Sequence, residues 1–149
     1  MTNARRLGQL AGVVTANMAS YSKAALLSSG AASCLAADGF TWPLLVRSPG
    51  YHTGEHFLKV DCPDGLAEAI AQLPGQEVLA VEYLDAYSAD GNVRKYRVMA
   101  IGGELYPLHL AISPHWLLHY FSADMANHPE HQAEEGRFLN DMPGALGPQ

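Results

Sequence analysis

Cysteine is scarce: Cys34 and Cys62 are the only two in the chain. That is too few for a disulfide framework, so a reducing compartment is expected. Charge is scarce as well, at 16% of residues, and the basic ones are the minority. Lys and Arg number 9 against 15 Asp and Glu, a formal net charge of -6. This balance argues against a nucleic-acid binder, which carries an excess of cations on one face. It leaves room for an anionic small ligand, because a basic pocket can sit in an acidic surface. No apolar run is long enough to cross a bilayer. Arg5 and Arg6 are followed by Gly8, Gly12, Thr15 and Asn17 rather than by an apolar stretch. No signal peptide is therefore read, and a cytoplasmic protein is expected by elimination.

Several reactive signatures are missing too. There is no GxxxxGK[ST] phosphate loop, no HExxH, no Cys/His set at structural-zinc spacing and no GxSxG elbow. A P-loop, a zinc-protease helix and a covalent nucleophile have no support. No internal repeat or low-complexity tract is present.

What is present is a foldable chain of 149 residues, 48% of them hydrophobic, enough for a core and too apolar for disorder. Residues 3–10 predict a short helix capped by Thr2 or Asn3, and residues 12–15 a short extended piece. Residues 22–27 and 31–37 predict helices, broken at Ser28-Ser29-Gly30 and ended by Gly39. Residues 43–47 and 57–61 read as strands around a loop that holds Gly50 and Gly54. A helix from Pro63 or Asp64 to Leu73 follows, then a strand over 77–84. Asp90-Gly91 is a hairpin signal. Residues 93–101 alternate, turn at Gly102-Gly103 and return over 104–112. Residues 114–121 predict a helix or helical turn. Residues 128–139 predict a charged helix with Phe138 and Leu139 inward, and 141–149 a loop. Antiparallel hairpins with inserted helices predict an α+β fold.

Four groupings could carry chemistry. Arg47 ends a strand and leads into the loop with Gly50, His52, Thr53 and Gly54; glycine lets backbone N–H groups approach an anion, and a strand-end Arg forks onto phosphate. A plain hairpin tip is the better reading of that grouping taken alone. Lys95 and Arg97 lie two apart on one strand face with Val93 and Met99, so a partly buried basic pair is expected, needing either a ligand anion or a carboxylate such as Glu82, Asp85 or Glu104. Glu82, Tyr83, Leu84 and Asp85 close an apolar strand, where backbone amides can read a base edge; a solvated strand end is the simpler account. The histidines form spaced pairs: His52 with His56, His115 with His119 on the expected helix, and His128 with His131 beside Glu130, Glu134 and Glu135. Each pair supplies too few zinc ligands, so hydrogen-bonding roles are favoured and no metal site is assigned.

Taken in order, Pro43–Arg47, Gly50–Gly54, Val81–Asp85, Asp90–Val98, Gly103–His109 and Glu134-Glu135 resemble the ATP-grasp superfamily, in particular its bacterial branch often fused to tetratricopeptide repeats. The resemblance runs clearest from Trp42 to Pro143, and no single motif in it is diagnostic. It implies a partial ATP-grasp fold: a helical lead-in over 1–41, an antiparallel small lobe with a Gly-loop hairpin over 42–86, and over 87–149 the first hairpin of the large lobe with C-terminal helices. It implies that Arg47 touches nucleotide phosphates and that Gly50, His52, Thr53 and Gly54 belong to the loop closing over them. Glu82, Tyr83 and Leu84 would meet the adenine, and Lys95 and Arg97 would face the phosphates or an acyl phosphate. The implied reaction is ATP-dependent activation of a carboxylate for attack by an amine. The implied cofactors are ATP and Mg²⁺, but the family's Asp/Glu and Glu-x-Asn magnesium ligands have no counterpart in the sequence. A portion of a ligase, inactive by itself, is therefore expected, with self-association or a domain supplied elsewhere. A non-catalytic module on the same scaffold and a small histidine-based metal binder are the alternatives.

Overall fold

The computed structural model describes residues 6–147. The chain divides into two compact units, Met1–Leu84 and Asp85–Gln149. Both are built on antiparallel sheets with helices, so the architecture is α+β. The caps expected at Thr2 and Asn3 lie outside the described residues.

The first unit holds strands β1 (Met18–Ser22), β2 (Leu44–Arg47), β3 (Phe57–Val60) and β4 (Glu77–Glu82), in the order β1-β4-β2-β3. Every pairing is antiparallel. Helices α1 (Lys23–Leu26), α2 (Ala31–Ala37) and α3 (Leu66–Gln72) accompany it, the last entered through a 3-10 turn at Pro63–Gly65. Alternation sets the buried face: Leu44 and Val46 of β2, Val78 and Ala80 of β4 are fully enclosed. They pack with Leu26, Leu35, Leu66, Ile70 and Leu73 from the helical segments in one cluster. The Ser22 hydroxyl caps α1 by accepting from the Ala25 N–H at 3.2 Å. The Lys23 ammonium donates to the Ala71 and Leu73 carbonyls at the end of α3, where the helix leaves its acceptors unpaired.

The extended piece expected over 12–15 forms no ladder, since residues 13–15 carry no regular secondary structure. The first strand is β1, further along, which the sequence reading did not include. β4 also does not form a hairpin through Asp90-Gly91, because its partners are β1 and β2. The Asp90-Gly91 signal produces only a tight turn in the second unit, closed by a Tyr87–Val93 bridge.

The second unit is a long hairpin, β5 (Val93–Ile101) and β6 (Glu104–Ser113), with helix α4 (Pro129–Asn140) against β6 and a short α5 (Met142–Leu146) after it. Its core joins Leu110, Ala111 and Ile112 of β6 to Leu118, Met125 and Phe138. Phe138 meets the Tyr96 ring edge-on at 5.0 Å between centroids. The outer edge of β6 is covered from α4: the Leu110 N–H donates to Glu135 Oε1 at 3.2 Å.

Three further readings change. Residues 114–121 are bends followed by a 3-10 turn at Tyr120–Ser122, so His115 and His119 share no helical face. Pro114 and Ser113 close the strand instead of starting a helix. Leu139 is 41% exposed while Phe138 is fully buried, since adjacent helical positions point about 100° apart. The tail folds into α5, with the Asp141 carboxylate accepting from the Gly144 N–H at 3.0 Å and Pro143 in the first turn, where its missing N–H costs nothing.

Candidate ligand-binding groove

In the first unit, the loop between β2 and β3 is tied to itself. Arg47 pairs with Phe57 and Leu79 across the sheet, and its guanidinium lies 5.5 Å from the Phe57 ring centroid. Its Nη2 donates to the Tyr51 carbonyl inside the loop, and its Nε is buried without a partner. The Ser48 N–H reaches the His56 carbonyl at 3.1 Å, and the Ser48 hydroxyl the Pro74 carbonyl at 2.7 Å. Tyr51 and His56 meet edge to face at 4.4 Å. Gly50 and Gly54 take left-handed backbones, as do two residues with side chains, Thr53 at φ 58° and His56 at φ 50°. Left-handed β-branched Thr is uncommon and signals a loop held in one shape by its surroundings. His52 and Thr53 are exposed, and the Thr53 hydroxyl donates to the His52 carbonyl at 2.7 Å.

Glu82 is also occupied locally. Its Oε2 accepts from the Asn17 N–H at 2.8 Å, and its own N–H donates to the Asn17 carbonyl at 2.9 Å, which extends the β1–β4 ladder. Tyr83 lies under the Lys59 ammonium, 4.5 Å from the ring centroid, and Leu84 is 46% exposed. Elsewhere in this unit the Tyr21 hydroxyl hydrogen-bonds to Asp38; desolvation and then that carboxylate push its pKa well above the usual phenol value.

The second unit brings Lys95 and Arg97 to a groove of about 590 Å³, lined by Lys95, Tyr96, Arg97, His109, His119, Tyr120 and Phe121. This volume lies in the usual range for small-molecule sites. Contrary to the expectation of a partly buried pair, both cations are exposed, as is Met99. Burial on that face is confined to Val93 at the start of the strand, because no further strand covers the distal hairpin among the described residues. Among the described residues neither cation has a carboxylate within salt-bridge distance; Lys95 Nζ donates to the Leu118 carbonyl at 3.3 Å. Among the described residues, no carboxylate lines the groove.

Arg97 stands directly across from His109 in the hairpin register, and the register slips immediately beyond it. The slip places one extra residue, Leu108, on β6, and such bulges re-aim neighbouring side chains. His109 lies against the Tyr120 ring at 4.5 Å, and His119 against Phe121 at 5.7 Å. Phe121 is 90% exposed, an aromatic face presented to solvent beside two cations. Burial and then Glu135 raise the Tyr120 pKa, so its phenol stays protonated and donates to Glu135 at 3.5 Å.

Sequence reasoning found Lys95 and Arg97 and weighed His119. It missed His109, Tyr120 and Phe121 as groove walls. It also missed Arg94, on the opposite face of β5, which takes the two carboxylates: Asp90 at 2.8 Å and Glu134 at 2.6 Å. No family model matches the chain, and no curated protein matches it significantly.

Proposed function

We propose that the second unit binds a nucleotide, with its phosphates on Lys95 and Arg97 and its base against the exposed ring of Phe121. The observation that carries this reading is the pair of cations two apart on β5, without a carboxylate partner among the described residues, opening onto a groove walled by imidazoles and aromatic rings. Two cations side by side repel, and an anion between them relieves the repulsion. Guanidinium forks onto phosphate oxygens, and an ammonium adds a point charge. A planar base gains by stacking on an aromatic face.

The ordered motifs that resemble ATP-grasp proteins favour ATP and the role of nucleotide-binding portion in a carboxylate–amine ligase. In that reaction a carboxylate oxygen attacks the γ-phosphorus, ADP leaves, and an amine then displaces phosphate from the acyl phosphate. Lys95 and Arg97 would stabilise charge on the transferred phosphoryl group. Magnesium favours carboxylate oxygens alongside those of the phosphates. The groove lining supplies cations, imidazoles and aromatic groups instead, so it does not fit Mg²⁺ and no step is derived through the metal. That composition also favours a second reading, a module that binds nucleotide without chemistry.

Arg47, Gly50, His52, Thr53, Gly54, Glu82, Tyr83 and Leu84 belong to the first unit, where Arg47 orders its own loop through the Tyr51 carbonyl. The test is thermal unfolding with millimolar ADP, for wild type and for Lys95→Ala/Arg97→Ala. A native-state ligand at a hundredfold excess over its Kd stabilises by about 2.7 kcal/mol. A rise in Tm for wild type that the double variant loses supports the reading. A rise that survives the double variant, or none in folded wild type, contradicts it.

A further inference from the structure

Helix α4 begins at Pro129, a residue suited to the first helical position. His128 is its N-cap, and Glu130 and His131 occupy the first turn. Residues three apart at a helix start are neighbours, so this start gathers two imidazoles and a carboxylate. One ligand atom from each of His128, Glu130 and His131 lies within 4.8 Å of the others. The His128 and His131 rings are stacked, 4.7 Å between centroids, and His128 Nδ1 is 3.1 Å from Glu130 Oε1.

A separate observation distinguishes this cluster from an ordinary helix start. His131 is only 8% exposed, and its Nδ1 is buried with no hydrogen-bond partner. A buried ring nitrogen left unpaired costs free energy that a bound group recovers. We propose that His128, Glu130 and His131 bind a zinc-like divalent transition-metal ion, independently of the nucleotide groove. Two imidazoles and a carboxylate are a ligand set zinc accepts, with a fourth position left to water. In tetrahedral geometry the ligand atoms stand about 3.4 Å apart, and exposed Glu130 and half-buried His128 turn from the stacked arrangement to reach that spacing. The Asp124 carboxylate, 4.0 Å from His128 Nε2, is placed to orient that ring from outside the ligand set.

The test is calorimetric titration of the full chain with Zn²⁺, with Co²⁺ absorption as a readout of coordination. Wild type is expected to bind one ion and to give the visible bands of a tetrahedral Co²⁺ site. His128→Ala and Glu130→Ala, both outside the core, are each expected to weaken binding at least tenfold with an unchanged circular dichroism spectrum. His115→Ala, remote in sequence and exposed, serves as the control and is expected to bind as wild type does. Zinc affinity unchanged in both His128→Ala and Glu130→Ala overturns the proposal, as does folded wild type that takes up no zinc. Equal loss in His115→Ala overturns it as well, since that result means dispersed surface binding.

Discussion

Arg94 of β5 and Glu134 of α4 form a two-point ion pair, Nε to Oε1 at 2.6 Å and Nη2 to Oε2 at 3.0 Å, that fastens the helix to the hairpin. The same guanidinium also holds Asp90 in the turn before β5, through Nη1 at 3.2 Å and Nη2 at 2.8 Å. One side chain thus joins turn, strand and helix. Forked geometry and partial shielding from solvent make this pair worth more than a surface contact.

Replacing Glu134 with Ala removes both bonds to α4 and is expected to destabilise the protein by about 1–3 kcal/mol. The pair also sets an acid dependence. The Arg94 hydrogen bonds hold the Glu134 carboxyl below its ordinary 4.5, and the same side chain holds Asp90 well below its ordinary value. Groups depressed in the folded state contribute stability that is fully present above their unfolded pKa. That contribution is lost as pH falls from about 4.5 through the folded values. Urea titrations from pH 7 to pH 3 should show a steeper acid loss in wild type than in Glu134→Ala. Parallel curves would refute the assignment.

Phe138 is fully enclosed between β6 and the Tyr96 ring. Phe138→Ala leaves a cavity in a small core and is expected to cost about 3–5 kcal/mol. Leu139→Ala, at the neighbouring exposed position, is expected to cost well under half as much. Equilibrium denaturation of both variants checks the contrast.

Arg47 is a loop tie in this account. Arg47→Ala removes the bond to the Tyr51 carbonyl and the contact with Phe57. Hydrogen exchange over residues 48–56 should speed up while ADP affinity stays unchanged. Loss of ADP binding without faster exchange would instead give Arg47 the phosphate-binding role that the family resemblance implies.

The strands of both units were legible wherever alternation was strong, as in residues 93–101 and 77–82. β1 was not, because a strand at one edge of the sheet has a weak apolar face: Ala19 and Tyr21 alone mark it. The second basic side chain was legible and its neighbour was not. Counting back from the Gly102-Gly103 turn pairs Arg97 with Leu108, whereas the bulge gives it His109. A bulge of one residue leaves no trace in composition or period. Arg94 was passed over because its partners come from a turn and from a helix forty residues on, and sequence spacing carries no record of such a meeting.

The far end of the hairpin exposes Met99, Ile101, Leu105, Tyr106 and Leu108, at 45%, 56%, 58%, 48% and 42%. Apolar surface on uncovered strands favours association. Sedimentation velocity should show concentration-dependent association at micromolar concentration, reduced by Ile101→Lys/Leu105→Lys. A monomer at all concentrations would contradict this.

The most direct test of nucleotide binding in the second unit is a titration of ¹⁵N-labelled protein with ADP, followed by amide and side-chain chemical shifts. The account predicts saturable shifts clustered at Lys95, Arg97, His109, His119, Tyr120 and Phe121, with residues 48–56 unmoved. Shifts centred on the Arg47 loop, or none at millimolar ADP, would contradict it.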